Sequence, residues 1–408
     1  MEFTLIWQIA KRYLRGKRTA NAVPVLSRIS MVAIAVVSCA MIVVFSIFNG
    51  LETMAKGLFN SFYPEIKITT VRGKFFPFDN GKLKAISQIK GVKHVTGVVE
   101  DNVFVIHHEQ QKVITLKGIT NDYFLVNNMR DSISGQDTVS DGEVHTAIVG
   151  QNIMNELGAD THSLSYLMLY YPNPAVTNPG ADLLSAFQSL RLHPAGYFHI
   201  SDEFDNIYIL APISLVQGLF KEEGKYSSIE LSGEAGQIQE IKQQIKSMLG
   251  SVFKVETRYE QNKTVYMAMS GEKWAIYAIL FLVLLIASFN MVGALSMLVL
   301  EKQKDIAILK AMGAQMGTIQ KIFLMEGVMW SLVGGGTGIT LAAIICLAQQ
   351  KLGLLKMGGS FLADAYPVEL QWHDFILVLG TILTVGLLAA WYPSVRATKP
   401  VDVTLKST

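Results

Sequence analysis

Four apolar runs of membrane length limit what this chain can become. They are Ile29–Phe48, Trp274–Leu300, Gly327–Leu347 and Phe375–Tyr392. A hydrocarbon core of about 30 Å is crossed by roughly 20 helical residues, and each run comes close to or exceeds that length. Trp274–Leu300 is long enough to tilt or project. The first run starts too far from Met1, and is too long, for the core of a cleaved signal peptide, so it reads as an uncleaved anchor. Half of the 408 residues are apolar, too many for an ordinary soluble protein of this size. The expected fold is therefore a membrane protein of four transmembrane α-helices, with a large α+β extracytoplasmic domain inserted between the first and second spans.

This reading divides the chain into nine segments. Residues 1–28 form a cytoplasmic amphipathic elbow helix and a basic segment, and 29–49 the first span. Residues 50–271 form the outer domain, in two subdomains with the second inserted in the first. The second span is 272–300, followed by a cytoplasmic loop at 301–326 and the third span at 327–349. A short outer loop at 350–374, the fourth span at 375–392 and a cytoplasmic tail at 393–408 complete the chain. In residues 3–15, Phe3, Ile6, Trp7, Ala10, Tyr13 and Leu14 share one face and Lys11, Arg12 and Arg15 the other, which suits a helix at the membrane surface. Short basic segments stay in the cytoplasm. The N-terminal segment, the 301–326 loop and the tail with Arg396, Lys399 and Lys406 are the basic ones, which places both termini inside. Trp274, Trp330, Trp372 and Trp391 fall near span ends, as interfacial aromatics do.

The loop Glu301–Ala314 reads EKQKDIAILKAMGA and has a helical period. Ile308, Leu309, Met312 and Met316 fall on one side, and Lys302, Gln303, Ile306 and Lys310 on the other. Gly313 offers a left-handed stop. Two readings stay open: a helix lying on the lipid surface, or a coupling helix that docks on a cytoplasmic partner.

The 50–271 segment alternates short strands and helices. Val92–His108 and Lys112–Gly118 are expected to pair across a turn at Glu109–Gln111, and Gly196–Ile200 to form a strand. Pro172–His193, rich in Pro, Asn and Gly, reads as a long exposed loop of the kind that often carries function. His107 and His108 should point to opposite faces of a solvated strand, so they make no joint metal site. Cys39 and Cys346 lie in apolar runs and point to packing rather than to a disulfide or a metal. Asn290 reads as an amide bonded to a neighbouring helix. The Gly334-Gly335-Gly336-Thr337-Gly338 cluster lacks the GK[ST] of a phosphate loop, and small residues there allow close helix packing. Metalloprotease, CxxC and nucleophile-elbow motifs are also lacking. A net charge of +2 gives no bulk attraction to nucleic acid.

Four stretches carry a resemblance. IAKRYLRGKR (Ile9–Arg18) followed by FSIFNGLE (Phe45–Glu52), then DIAILKAMGA, then AAWYPSVRATKPVD (Ala389–Asp402) resemble the lipoprotein-releasing permeases of the Lol system, within the wider FtsX/MacB-like family. Ser394 stands where the closing motif more often has Ala. The resemblance implies a permease subunit of an ATP-driven transporter in the bacterial inner membrane, not an enzyme itself. It would extract lipoproteins and pass them to a periplasmic carrier. The implied partners are a cytoplasmic ABC ATPase subunit, which would bind ATP and Mg, a second permease chain (the same or a related one), the lipoprotein cargo, the carrier and membrane lipids. The chain itself would hold no cofactor and no metal.

The resemblance also implies site residues. Contact with the ATPase falls to Glu301, Lys302, Lys304, Asp305, Ile306, Ile308, Leu309, Lys310, Met312 and Gly313. An apolar cavity for acyl chains would draw on Phe45, Ile47, Phe48, Phe281, Ile286 and Phe289. A carrier-binding loop, matched by position only, would include Pro172, Asn173, Pro174 and Pro179; an idle surface loop is the other reading. The alternative within the fold is a mechanotransmission permease that drives efflux or a cell-wall hydrolase. A receptor with a ligand-binding outer domain would leave the coupling segment unexplained.

Overall fold

The computed structural model describes residues 23–161, 166–173, 186–357 and 365–398. The expected elbow helix lies outside these residues. The chain divides into two compact units, one built from the long apolar helices and one from the segment between the first two.

Four helices are long and apolar enough to cross a membrane. The first runs Val23–Phe62, the second Lys263–Glu301, the third Met316–Leu352 and the fourth Trp372–Arg396. The first does not stop at residue 49, because Leu51–Phe62 keeps a helical sequence and its end has apolar work to do. Phe59 and Phe62 are buried in a core of the second unit with Tyr123, Phe198 and Phe204. Phe62 stacks on Phe204 with centroids 4.4 Å apart.

In the span unit, Ile34, Met41, Ile42, Met291, Leu295, Phe323 and Ile382 belong to one buried core. Close approach depends on glycine. A Cβ on Gly338 would overlap the backbone of Ala35, one on Gly334 would lie 2.7 Å from the Met31 carbonyl, and one on Gly335 would crowd Ile382. The glycine cluster thus serves helix packing, against the first span on one side and the fourth on the other. Trp330 corrects the interfacial reading: it is buried in this core, whereas Trp274, Trp372 and Trp391 are exposed. Cys39 and Cys346 are both free thiols. Asn290 is exposed on the second-span helix rather than tucked against a neighbour.

The inter-span unit is an α+β domain built on a sheet in the order β12-β1-β11-β3-β4-β9-β6-β8-β5, with β7 bridging β3 and β8. These strands are β1 Ile66–Thr70, β2 Phe76–Pro77, β3 Val92–His107, β4 Gln110–Ile119, β5 Ile133–Gly135, β6 Thr146–Gly150, β7 Leu167–Pro172, β8 Phe187–Phe198, β9 Tyr208–Pro212, β10 Lys225–Tyr226, β11 Ser228–Gly233 and β12 Phe253–Thr257. β2 and β10 pair separately. Most ladders are antiparallel, but β4–β9 and β6–β8 are parallel. β3 is long enough to pair with β11 along its first half and with β4 along its second. Two lobes, each with its own apolar core, therefore share one strand.

The β3–β4 turn is tighter than the sequence suggests. His107 pairs with Gln110, and His108 occupies the left-handed region at φ 51. That turn breaks the alternation, so the two imidazoles meet with centroids 4.3 Å apart instead of facing opposite ways. His107 is buried rather than solvated, and its Nδ1 donates to the Leu157 carbonyl at 2.8 Å. Among the described residues, no cluster of His, Cys, Asp and Glu could hold a metal.

Candidate functional site

The segment after the second span folds as a helix, Gln303–Ala311. Its end follows from Gly313, which takes φ +89. The Gly313 amide bonds to the Lys310 carbonyl and the Ala314 amide to that of Leu309, both at 3.0 Å, the paired closure of a helix that ends in a left-handed glycine. Lys302 and Asp305 form an ion pair at 3.3 Å.

The helix packs opposite to simple amphipathic expectation. Ile306, from the more polar side, is buried in the span core with Ile319 and Phe323. Lys302, Gln303 and Lys310 on that side are half-buried. The apolar side looks outward: Ile308 is 59% exposed, Met312 77% and Met316 47%. Leu309 and Asp305 are half-buried, while Glu301, Lys304 and Gly313 are exposed. A contact surface can therefore use Glu301, Lys304, Ile308, Met312 and Gly313. Ile306 cannot belong to it, because its side chain anchors the helix from beneath.

The proposed acyl-chain residues separate into three groups. Phe45 is 2% exposed, stacks on Tyr277 at 5.8 Å and lies under the Lys273 ammonium at 5.4 Å. It packs the span unit from within. Ile47 and Phe48 are half-buried, as is Phe281, which stacks on Tyr277 at 6.3 Å. Ile286 and Phe289 are exposed, at 59% and 72%. Together with Ile279, Leu282 and Val283 they leave the second-span helix an uncovered apolar face, with Asn290 beside it.

The expected loop Pro172–His193 is shorter than its composition suggests. β7 and β8 form a hairpin whose register runs from Leu167↔Leu192 to Pro172↔Phe187. Strand β8 was obscured by Pro194 and Gly196, where the ladder to β6 shifts by one residue. At the hairpin base the Asn173 amide bonds to the Ala186 carbonyl at 2.8 Å, and Asn173 Oδ1 accepts from Lys221 Nζ at 3.2 Å. Pro174 and Pro179 lie outside the described residues. Beside this base, Phe104, Ile106, Gln111, Tyr170 and Phe187 line a depression of about 290 Å³. Phe104 and Phe187 are 48% and 41% exposed. The signal was present in the run VFVIHH, which is apolar on both faces of a strand.

Sequence reasoning missed a charged cluster inside the inter-span domain. Lys117 and Glu230 are 2% and 0% exposed and pair at 3.0 Å. Asn127 donates to Glu230 at 3.3 Å, Lys67 pairs with Glu100 at 2.8 Å, and the Lys117 ammonium sits over the Phe62 and Tyr123 rings. Burial works against the charge of Glu100, but Lys67 and Lys117 outweigh it and bring its carboxyl down to about 2. Burial likewise opposes the Lys117 charge, and Glu230 more than compensates, holding the ammonium well above its usual range. A lysine in alternating strand sequence carries no sign that its face will be covered.

The comparisons with known proteins agree with this layout. The family of the FtsX-like permease C-terminal region matches residues 277–400, and that of the MacB-like periplasmic core domain matches 27–163. The lipoprotein-releasing system transmembrane protein LolC of Neisseria meningitidis is 23% identical over 417 residues, covering 97% of each chain. LolE of Haemophilus influenzae is 24% identical over 409 residues, covering 96% of each. An uncharacterized ABC transporter permease of Methanocaldococcus jannaschii is 29% identical over 201 residues, or 48% of this chain and 49% of that one. The chain thus matches the FtsX-like permease model over its last three long apolar helices and the MacB-like core-domain model over its first helix and the start of the inter-span domain, and it is similar along nearly its whole length to lipoprotein-releasing transmembrane proteins.

Proposed function

We propose that this chain is the permease subunit of an ATP-driven transporter that extracts lipoproteins from the bacterial inner membrane and passes them to a periplasmic carrier. The observation that carries the reading is the outward-turned helix Gln303–Ala311. A helix that buries Ile306 and leaves Ile308 uncovered, with Met312 and Met316 uncovered just past its end, offers apolar area to something else. A cytoplasmic ATPase is the partner that the similarity to ABC permeases supports. ATP and Mg would be bound there, and the helix would pass the ATPase's movement to the spans.

The other parts of the reading have their own supports. The uncovered face around Ile286 and Phe289 suits acyl chains or the spans of a second permease chain, to which Asn290 could bond. The apolar depression at Phe104, Tyr170 and Phe187 extends the β7–β8 hairpin as a surface for the carrier. Both termini and the 301–326 loop would be cytoplasmic, following the basic segments.

The test is a pull-down from detergent-solubilised membranes, followed by ATPase assays with and without a purified triacylated lipoprotein. A co-purifying ATPase whose rate responds to the lipoprotein supports the reading. An ATPase indifferent to lipoprotein shifts the assignment to mechanotransmission, and no ATPase at all removes the coupling role of Gln303–Ala311.

A further inference from the structure

In the span unit one polar group joins three of the long helices, near the outer ends expected for the spans. Asn49 of the first helix is 1% exposed, and Asp374, in the first turn of the fourth, is 8% exposed. The Asn49 amide bridges a cation and an anion: its Oδ1 accepts from Lys273 Nζ of the second helix at 2.7 Å, and its Nδ2 donates to Asp374 Oδ2 at 2.6 Å. Lys273 Nζ lies 3.6 Å from Asp374 Oδ1 and over the Phe45 ring. The segment before the fourth helix is drawn in as well. The Glu369 amide bonds to the Ser46 carbonyl at 2.8 Å, and Thr53 donates to the Glu369 carboxylate. Gly50 permits this approach, because a Cβ there would collide with the Pro367 carbonyl.

Stability alone is a weak reason for such a cluster. An ion pair drawn partly out of water, as Lys273 and Asp374 are, gains little over apolar residues of the same shape, and the neighbouring spans already pack through Gly334, Gly335 and Gly338. What charges with fixed partners supply is register: rotating or sliding any one helix strands a buried polar group. The first and second helices are also the two that run on without a break beyond the span unit, to Phe62 and from Lys263.

We propose that Asn49, Lys273 and Asp374 are positioning residues forming a clasp that makes the outer ends of the first, second and fourth spans one body, so that movement started at the coupling helix reaches the inter-span domain instead of dissipating between helices. The clasp stays closed through the cycle. The proposal rests on the ATP-driven reading above but not on the identity of the cargo.

The experiment uses the full chain with its co-purified ATPase in lipid nanodiscs. Spin labels are placed on one chain at the exposed positions Val252 and Lys321 through cysteine substitutions, with Cys39 and Cys346 changed to Ala. In the parent, ATP with vanadate shifts the distance between the labels. In Asp374→Asn and Lys273→Met the shift falls to less than about half while ATP hydrolysis stays within about twofold; the exchanged pair, Lys273→Asp with Asp374→Lys, recovers most of it, as paired charges do in a double-mutant cycle. Full shifts in both single variants overturn the proposal, and so does a parent that shows no ATP-driven shift. Should a single variant not fold, Asn49→Cys with Asp374→Cys decides. A complex oxidised to the disulfide is expected to keep its shift, and a shift lost on oxidation and regained on reduction overturns the closed clasp. A parent that moves with ATP but ignores lipoprotein refutes the cargo and leaves the clasp standing.

Discussion

The two units of this protein bury polarity in different ways. The span unit packs its interior with glycines, small residues and aliphatic, sulfur-bearing and aromatic side chains, buries Glu326 within the third helix, and joins charges across helices around Asn49, Lys273 and Asp374. The inter-span domain places a lysine and a glutamate in its centre, with Glu100, Asn127 and Tyr123 around them. The difference follows from what each packs. Helices in lipid gain nothing from the hydrophobic effect against one another, so they rely on close backbone contact and a few directed bonds. A water-facing domain has the hydrophobic effect to spare and can carry a buried charged cluster that fixes one arrangement of its lobes.

The contrast breaks most sharply at Lys117. Changing it to Met strands Glu230 without its cation, and the inter-span domain should lose about 3–5 kcal/mol, read as a lowered thermal midpoint by circular dichroism. Adding Glu230→Gln to that variant should return part of the loss. In the span unit the sensitive atoms are glycine hydrogens instead. Gly338→Leu drives a side chain into the Ala35 backbone and should cost about 3 kcal/mol, seen as loss of the monodisperse peak in detergent, whereas Gly336→Leu, with open space around its α-carbon, should leave the peak intact.

A pH series sharpens the comparison from the electrostatic side. The Glu100 carboxyl sits at about 2 in the folded domain, against an ordinary 4.5. A depressed carboxylate stabilises the folded state above its unfolded value and loses that contribution as pH falls. Stability should therefore drop by about 2 kcal/mol between pH 4.5 and pH 2. Glu100→Gln should flatten this part of the profile in chemical denaturation; an unchanged slope would assign the acid sensitivity to other groups. The smallest effect on folding is expected at Ile308 and Met312. Their replacement by Ser should change stability by no more than about 0.5 kcal/mol yet reduce recovery of the ATPase in the pull-down.

How much of this could be read in advance depended on whether the signal was local. The four span helices, the helix at Gln303–Ala311 and its stop at Gly313 follow from apolar length, helical period and one glycine. The β3–β4 hairpin was legible from two alternating runs, but its turn moved by one residue because His108 accepts a left-handed conformation. β8 was largely hidden, since Pro194 and Gly196 interrupt its alternation. Of the candidate site residues, Ile308 and Met312 proved accessible. Ile306 and Phe45 did not, because helical period says which residues share a face and not which face the rest of the protein covers.

The sequence by itself determined the class of protein, the order of its parts and the resemblance on which the transport reading stands. Hydrophobic length and composition are properties of the chain before it folds, and a bilayer leaves few ways to satisfy them. Tertiary structure alone decided that the coupling helix turns its apolar side outward, that Lys117 and Glu230 meet in the dark of the domain, and that Asn49, Lys273 and Asp374 converge from positions as far apart as 325 residues. Those outcomes come from side chains brought together across long stretches of chain, and no local pattern encodes who the distant partner will be.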